Sequence, residues 1–382
     1  MGPIITLDKS AIQGLSYDEI LFLYKHYYVN IAPILVIEIL ADLKKATGSQ
    51  TLSEGQVARL ARKLLGGDSA INMNYRTLCW GSLLGRDVPM RGACVIGGGR
   101  RVRSKDGQPG IIVDRTTEQL AILQWQEGRF TEAEESLAQL WRLTIKIINL
   151  EVYKERLRKA YLIVPTCRSF TEVRRAVEDV LAYASLQPDL LEWLMDEYDM
   201  PHQERVRVRD RWRRSSPVYL QKFAPYADYC LRVELSFIVA VRDGLISTKP
   251  TNRLDLEYCF YLPFCMVFSS ADHLHANLAS LFLREDQEFI DAGILKSDLR
   301  NLANEWRALS DSEQEDYAYN YGSYPPAKDD SVTSRLWQKY MRPWRPGSGN
   351  RAVRMSEEDQ KRLLEKLKPL METFDEYDGR DG

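Results

Sequence analysis

Apolar positions in this chain fall into two rhythms. "IITL" at 4–7 and "VNIA" at 29–32 are short, nearly continuous runs, the length of buried strands. Between them, "SYDEILFLYKHYY" places Ile20, Leu23, Tyr24 and Tyr27 at helical spacing. Ser16 and Glu19 stand three apart at its start, the capping-box spacing. "SAIQGLS" before it reads as a turn of small residues. After the second strand, Pro33 opens "PILVIEILADLKK", apolar on most sides except at Glu38 and Asp42. Strand, helix, strand, helix is the grammar of an α/β protein with a parallel, Rossmann-like sheet.

From about 49 to 220 the rhythm becomes helical and charged. "TLSEGQVARLARKLLGG" and "SFTEVRRAVEDVLAYASL" read as helices. "ACVIGGGRRVRSKDGQPGIIVD" suggests two short strands around a basic, glycine-rich turn near 93–114. The stretch reads as a large, mostly helical insertion. The first pattern returns over 221–310. There a long apolar helix is closed by Gly244, "TNRLDLEYCFYLPF" suggests a helix starting near Asp255 and limited by Pro263, and "CMVFSS" reads as a strand. Residues 311–382 are polar, with one amphipathic helix from Met355 to Phe374, and read as a peripheral extension.

Composition narrows the class. Hydrophobic residues are 45% and charged residues 28% of 382, ordinary for a globular chain with a large core. The net charge of -2 advertises no overall basic field, so nucleic-acid binding would need a local surface. The six cysteines form no CxxC pair, which suits a reducing cytoplasm rather than a disulfide framework or zinc ribbon. No signal-peptide pattern and no apolar run of membrane-spanning length is apparent, so a cytoplasmic protein without a membrane partner is expected.

Four carboxylates sit where an apolar segment ends or where polarity is unexpected: Asp8 after "IITL", Glu38 inside "LVIEIL", Asp255 before "LEYCFYLPF", and Asp272 after "MVFSSA". Ligands bind at the carboxyl ends of parallel strands, where Asp8 and Asp272 would lie, and Glu38 and Asp255 can reach the same crevice from helices. Converging like charges call for a cation, and hard carboxylate oxygens select Mg²⁺ or Mn²⁺. Such ions suit phosphodiester hydrolysis.

"ITLDKSAI" followed by "VNIAPILVIEILADL" resembles the opening half of a PIN-like nuclease domain, and "DLEYCFYLPFCMVFSSADHLH" is similar to its closing half. The resemblance covers roughly 3–45 and 225–300, and the intervening insertion departs from a compact PIN domain. It implies a metal-dependent endonuclease acting on RNA or single-stranded DNA, with Asp8, Glu38, Asp255 and Asp272 as catalytic and metal-holding acids. A toxin or defence setting follows from the family's habits alone. Glu234, Asp243 and Glu257 compete for the third position, and Asp42, one helical turn from Glu38, can support it.

Structural duties compete with each assignment. Asp8, Asp255 and Asp272 suit helix N-caps, and Glu38 suits a buried arginine partner. Ser270 can bond Asp272 or a phosphate. Of the two histidines after the strand, His273 is the better ligand candidate and His275 reads as an ordinary helix-start residue. Arg205, Arg207, Arg209, Arg211, Arg213 and Arg214 with Trp212 would track a phosphate backbone and stack a base, or else form a charged helix paired with acids. An inactive scaffold that engages a protein partner through the insertion or the C-terminal helix is the alternative function. A phosphatase-like hydrolase would want Asp-x-Asp after the first strand, which "LDKSA" lacks.

Overall fold

A computed structural model of the protein describes residues 2–45, 50–103, 109–152, 164–215 and 219–345. The expected helix from Met355 to Phe374 lies outside the described residues. Five parallel strands form one sheet: β1 (Ile4–Leu7), β2 (Tyr28–Ile31), β3 (Ser69–Ile71), β6 (Val267–Ser270) and β7 (Glu288–Asp291). Their spatial order is β3-β2-β1-β6-β7. Two further strands, β4 (Arg100–Arg103) and β5 (Pro109–Ile112), make a separate antiparallel pair where the basic turn was expected.

The order explains the architecture. From β1 the chain steps outward through β2 to β3; after the interposed helices it re-enters at β6, on the other side of β1, and steps outward to β7. Right-handed crossovers then place the two sets of helices on opposite faces, the Rossmann-like three-layer arrangement. The direction reverses between β1 and β6, so the crevice of this sheet opens at their carboxyl ends.

Local sequence accounts for the elements around that crevice. Helix α1 (Lys9–Gly14) occupies the stretch that read as a turn, because the Asp8 side chain accepts from the Ala11 N–H and caps it. Helix α2 (Tyr17–His26) starts with the expected capping box of Ser16 and Glu19. Helix α3 (Pro33–Leu40) starts at a proline and tightens into a 3₁₀ turn at Ala41–Lys44. A long helix, Pro225–Arg242, is buried along most of its length and stops at Gly244, whose φ of +76° a side chain would disfavour.

Two boundaries move. Strand β3 lies at 69–71, inside the stretch 49–220 assigned to the insertion, so the core sheet claims part of it. Three residues, "SAI", are too few to show a period of two. At the other end, the last described helix of the stretch read as a peripheral extension packs on the core. The Val332–Tyr340 helix buries Leu336 and Trp337, the Trp337 indole donates to the His26 carbonyl at 2.8 Å, and Asp298 accepts from the Val332 and Thr333 N–H groups. Among the described residues no helix is long and apolar enough to cross a membrane.

Candidate active site

The register of β1 on β6 pairs Leu7 with Ser269, which brings the next residues, Asp8 and Ser270, side by side at the crevice. Asp8 is 4% exposed and densely bonded. Ser10 Oγ donates to it at 2.7 Å, Ser270 Oγ lies 2.8 Å from its Oδ2, and the Ala11 N–H reaches its Oδ1 at 2.9 Å.

His275, which the sequence alone demoted, is the buried centre of this network, while His273 is exposed at the helix start. His275 Nε2 lies 2.8 Å from the Asp255 carbonyl oxygen, which can only accept, so Nε2 carries a proton. Its Nδ1 lies 2.8 Å from Ser270 Oγ and 3.4 Å from Asp8 Oδ2. The Ser270 hydroxyl has one proton for two neighbours. Donated to the Asp8 carboxylate, it leaves Nδ1 to donate in turn, the arrangement of an imidazolium; donated to Nδ1, it leaves His275 neutral. The electrostatics favour the first. Burial opposes charge on both groups, yet their mutual hydrogen bonding and attraction hold Asp8 below and His275 above their ordinary values.

Asp272 follows β6, and its Oδ1 accepts from the Leu274 N–H at 2.7 Å, capping the helix His273–Phe282. Asp8 and Asp272 are therefore both helix caps, and both stand at strand ends of the crevice.

Glu38 lies on α3, and Asp255 on the helix Thr251–Cys259 that packs against it. The Tyr258 hydroxyl donates to Glu38 Oε2 at 2.5 Å. Burial raises the Glu38 carboxyl, with the Asp8 charge adding to it. Asp255 lies mid-helix rather than at an N-cap, and its carboxylate takes no hydrogen bond from a described residue. Burial, and then the charges of Glu38, Asp272 and Asp8, push it up to about 7 against the pull of His275. The four acids thus share one electrostatic environment.

The competitors for the third position are committed elsewhere. Glu234 is fully buried against Arg253 at 2.8 Å, Asp243 pairs with Arg242 at 2.6 Å, and Glu257 answers to Arg253 and Arg76. Asp42 is not in the acid group either, because its carboxylate is held by Lys9 and Arg142, each at 2.8 Å. Lys9 also donates to the Glu38 backbone carbonyl at 2.8 Å. Arg142, on the helix Glu132–Ile147, thereby ties the interposed region to the core beside α3.

The arginine run forms the helix His202–Arg214, not an alternating strand, and its side chains are largely spent within the protein. Arg209 grips Glu192 at 2.7 Å, Arg205 pairs with Asp196, and Arg207 and Arg213 pair with Glu204 and Asp210 one turn away. Arg211 donates to the Leu83 and Phe223 carbonyls, Arg214 to the Asp210 carbonyl, and Trp212 packs edge-on against Phe223. A helix puts residues two apart on different faces, so the alternation in the sequence makes no single basic stripe.

Sequence reasoning set His275 aside as an ordinary helix-start residue and missed Tyr258 and Ser10. Only the position of Ser10, two residues after a strand-end aspartate, carried any signal of a local bond. It also missed Asp291, a further acid at a strand end, which is occupied in capping the helix Ala292–Ala308. Among the described residues, no three His, Cys, Asp or Glu side chains are spaced to enclose a metal ion. Compared with known proteins, the chain matches no family model, no curated protein and no solved structure.

Proposed function

We propose that this protein is a metal-dependent endonuclease of the PIN-like kind, hydrolysing phosphodiester bonds of RNA or single-stranded DNA. The observation that carries this reading is the placement of four carboxylates from four different elements at the switch point of a parallel sheet. There Asp255 is raised by its burial first and then by the charges of the other three acids. Such repulsion costs stability, and a divalent cation relieves it.

The donors suit a hard cation: all are carboxylate oxygens, with no thiol among them. Asp8, Glu38, Asp255 and Asp272 are not spaced to enclose an ion as they stand, so Mg²⁺ or Mn²⁺ would be held only once these side chains close on it; when bound it would supply an activated water and stabilise charge on the phosphate oxygens. The chain's own groups have separate tasks. Ser10 and Ser270 fix the Asp8 carboxylate, and Tyr258 fixes Glu38. Asp255, whose carboxylate takes no hydrogen bond from a described residue, is the acid best able to turn toward a ligand. The helix Glu132–Ile147, anchored through Arg142, would border the approach to the site.

A second reading has a specific observation behind it. His275 lies against Asp8 and Tyr258 against Glu38, so two of the four acids already have internal partners. A PIN-like scaffold without catalysis fits that arrangement. Replacing Asp8 and Asp272 separately with Asn and assaying cleavage of RNA and single-stranded DNA with Mn²⁺ separates the two. The nuclease reading expects loss of roughly 100-fold or more in both variants. Undiminished cleavage in both, or no cleavage by the unmodified protein, favours the scaffold.

A further inference from the structure

Away from the acids, the last turn of α2 places Lys25 at the meeting of two clefts of about 190 and 370 Å³. Its Nζ stands 3.1 Å from the centre of the Trp306 ring and 5.2 Å from those of Phe22 and Tyr317. Ring faces attract an ammonium but give its three N–H donors no directed acceptor. No described residue supplies one: Lys25 makes no hydrogen bond and no ion pair.

We propose that this cleft is a binding site for a small organic acid, one carboxylate on an apolar body, with the Lys25 ammonium taking the carboxylate. The other charges around it are already matched. Glu305 is paired with Lys328, and Arg307 with Asp18. His26 hydrogen-bonds the Ser323 carbonyl at 2.8 Å and is neutral, its burial pulling it down to about 4. An incoming anion therefore meets a single unmatched cation. Beyond it, Leu302, Leu309, Pro326 and Trp306 offer an apolar wall for the rest of the ligand. A cationic ligand would face Lys25 unfavourably, and a neutral one would have the wall alone.

Burial also lowers the Lys25 ammonium to about 8. A carboxylate beside it restores the charged form, so binding near pH 8 draws a proton from the buffer.

Calorimetric titration of the full chain with hexanoate, hexanol and hexylamine tests the site. Hexanoate is expected to bind saturably, hexanol at least roughly tenfold more weakly, and hexylamine not measurably. Lys25→Met keeps the apolar stem and is expected to weaken hexanoate by roughly tenfold or more. Proton uptake, read in the unmodified protein from the difference in heat between phosphate and Tris buffers at about pH 8, needs no variant. Equal binding of hexanoate and hexanol, hexanoate binding untouched by a folded Lys25→Met protein, equal heats in the two buffers, or no saturable binding by any carboxylate from butanoate to octanoate each overturns the proposal.

Discussion

Asp255 and His275 hold opposite ends of one electrostatic balance. Asp255 titrates at about 7 in the folded chain against 3.8 ordinarily. The folded state keeps a proton that the unfolded chain has released, so stability falls as pH rises across that interval. His275 also binds its proton more tightly when folded. Its contribution is complete below about 6.5 and drains away as pH climbs through its raised value. Asp8 acts in the other direction, contributing above about 3.8 and losing that contribution as pH drops through its lowered value. In metal-free protein, melting temperature should therefore decline from about pH 5 to pH 8. Asp255→Asn should flatten the lower part of that decline and stabilise the protein at pH 8 by on the order of 2 kcal/mol. His275→Gln should flatten the upper part while lowering stability at pH 6 by about 3 kcal/mol, because Asp8 is left buried without its counter-charge. Melting curves of the three proteins across pH, with a chelator present, decide both. None of this was legible in "SSADHLH", because which histidine turns inward depends on where β1 lies beside β6.

The sheet is pinned by a row of polar side chains crossing its buried strands. Asn30 of β2 donates to Thr6 Oγ1 of β1 at 2.9 Å, and Asn72, just past β3, donates to Asn30 Oδ1 at 3.1 Å. All three are within 3% of complete burial. Asn30→Ala leaves both neighbours short of a partner and should cost about 2–3 kcal/mol, read from the denaturant midpoint. At this scale the sequence was informative wherever a run was long or capped. β1, β2, β6 and helices α2 and α3 stand where the apolar pattern put them. β3 and β7 were not legible, since three or four residues in an edge strand, such as "EFID", carry too little pattern. Helix α1 stands where the small residues of "SAIQGLS" read as a turn, although Asp8 suits the N-cap it occupies.

For the molecule as a whole, the helix Val332–Tyr340 and the acid group are the points where distant chain segments meet. Trp337 is 5% exposed and bonds the last residue of α2, so Trp337→Ala should destabilise the entire fold by about 3–5 kcal/mol rather than release a tail. A single cooperative melt at lower temperature, with no separate early transition, is the expected result. Addition of Mn²⁺ to the unmodified protein should raise its melting temperature, and Asp255→Asn should respond less. That readout is independent of catalysis, so an inactive but ion-binding protein would still be recognised by it.

The sequence by itself determined the α/β class of the molecule and singled out four acids by their positions. Buried strands need continuous apolar runs, helices need a period near 3.6 with caps, and a carboxylate at the end of an apolar run is conspicuous whatever surrounds it. Only the tertiary structure decided who stands next to whom. The strand order put Asp8 beside Ser270 and His275, and packing of the helix Thr251–Cys259 on α3 set Asp255 and Glu38 in one field. Those relations join residues more than 200 positions apart, and no local pattern encodes a neighbour that distant.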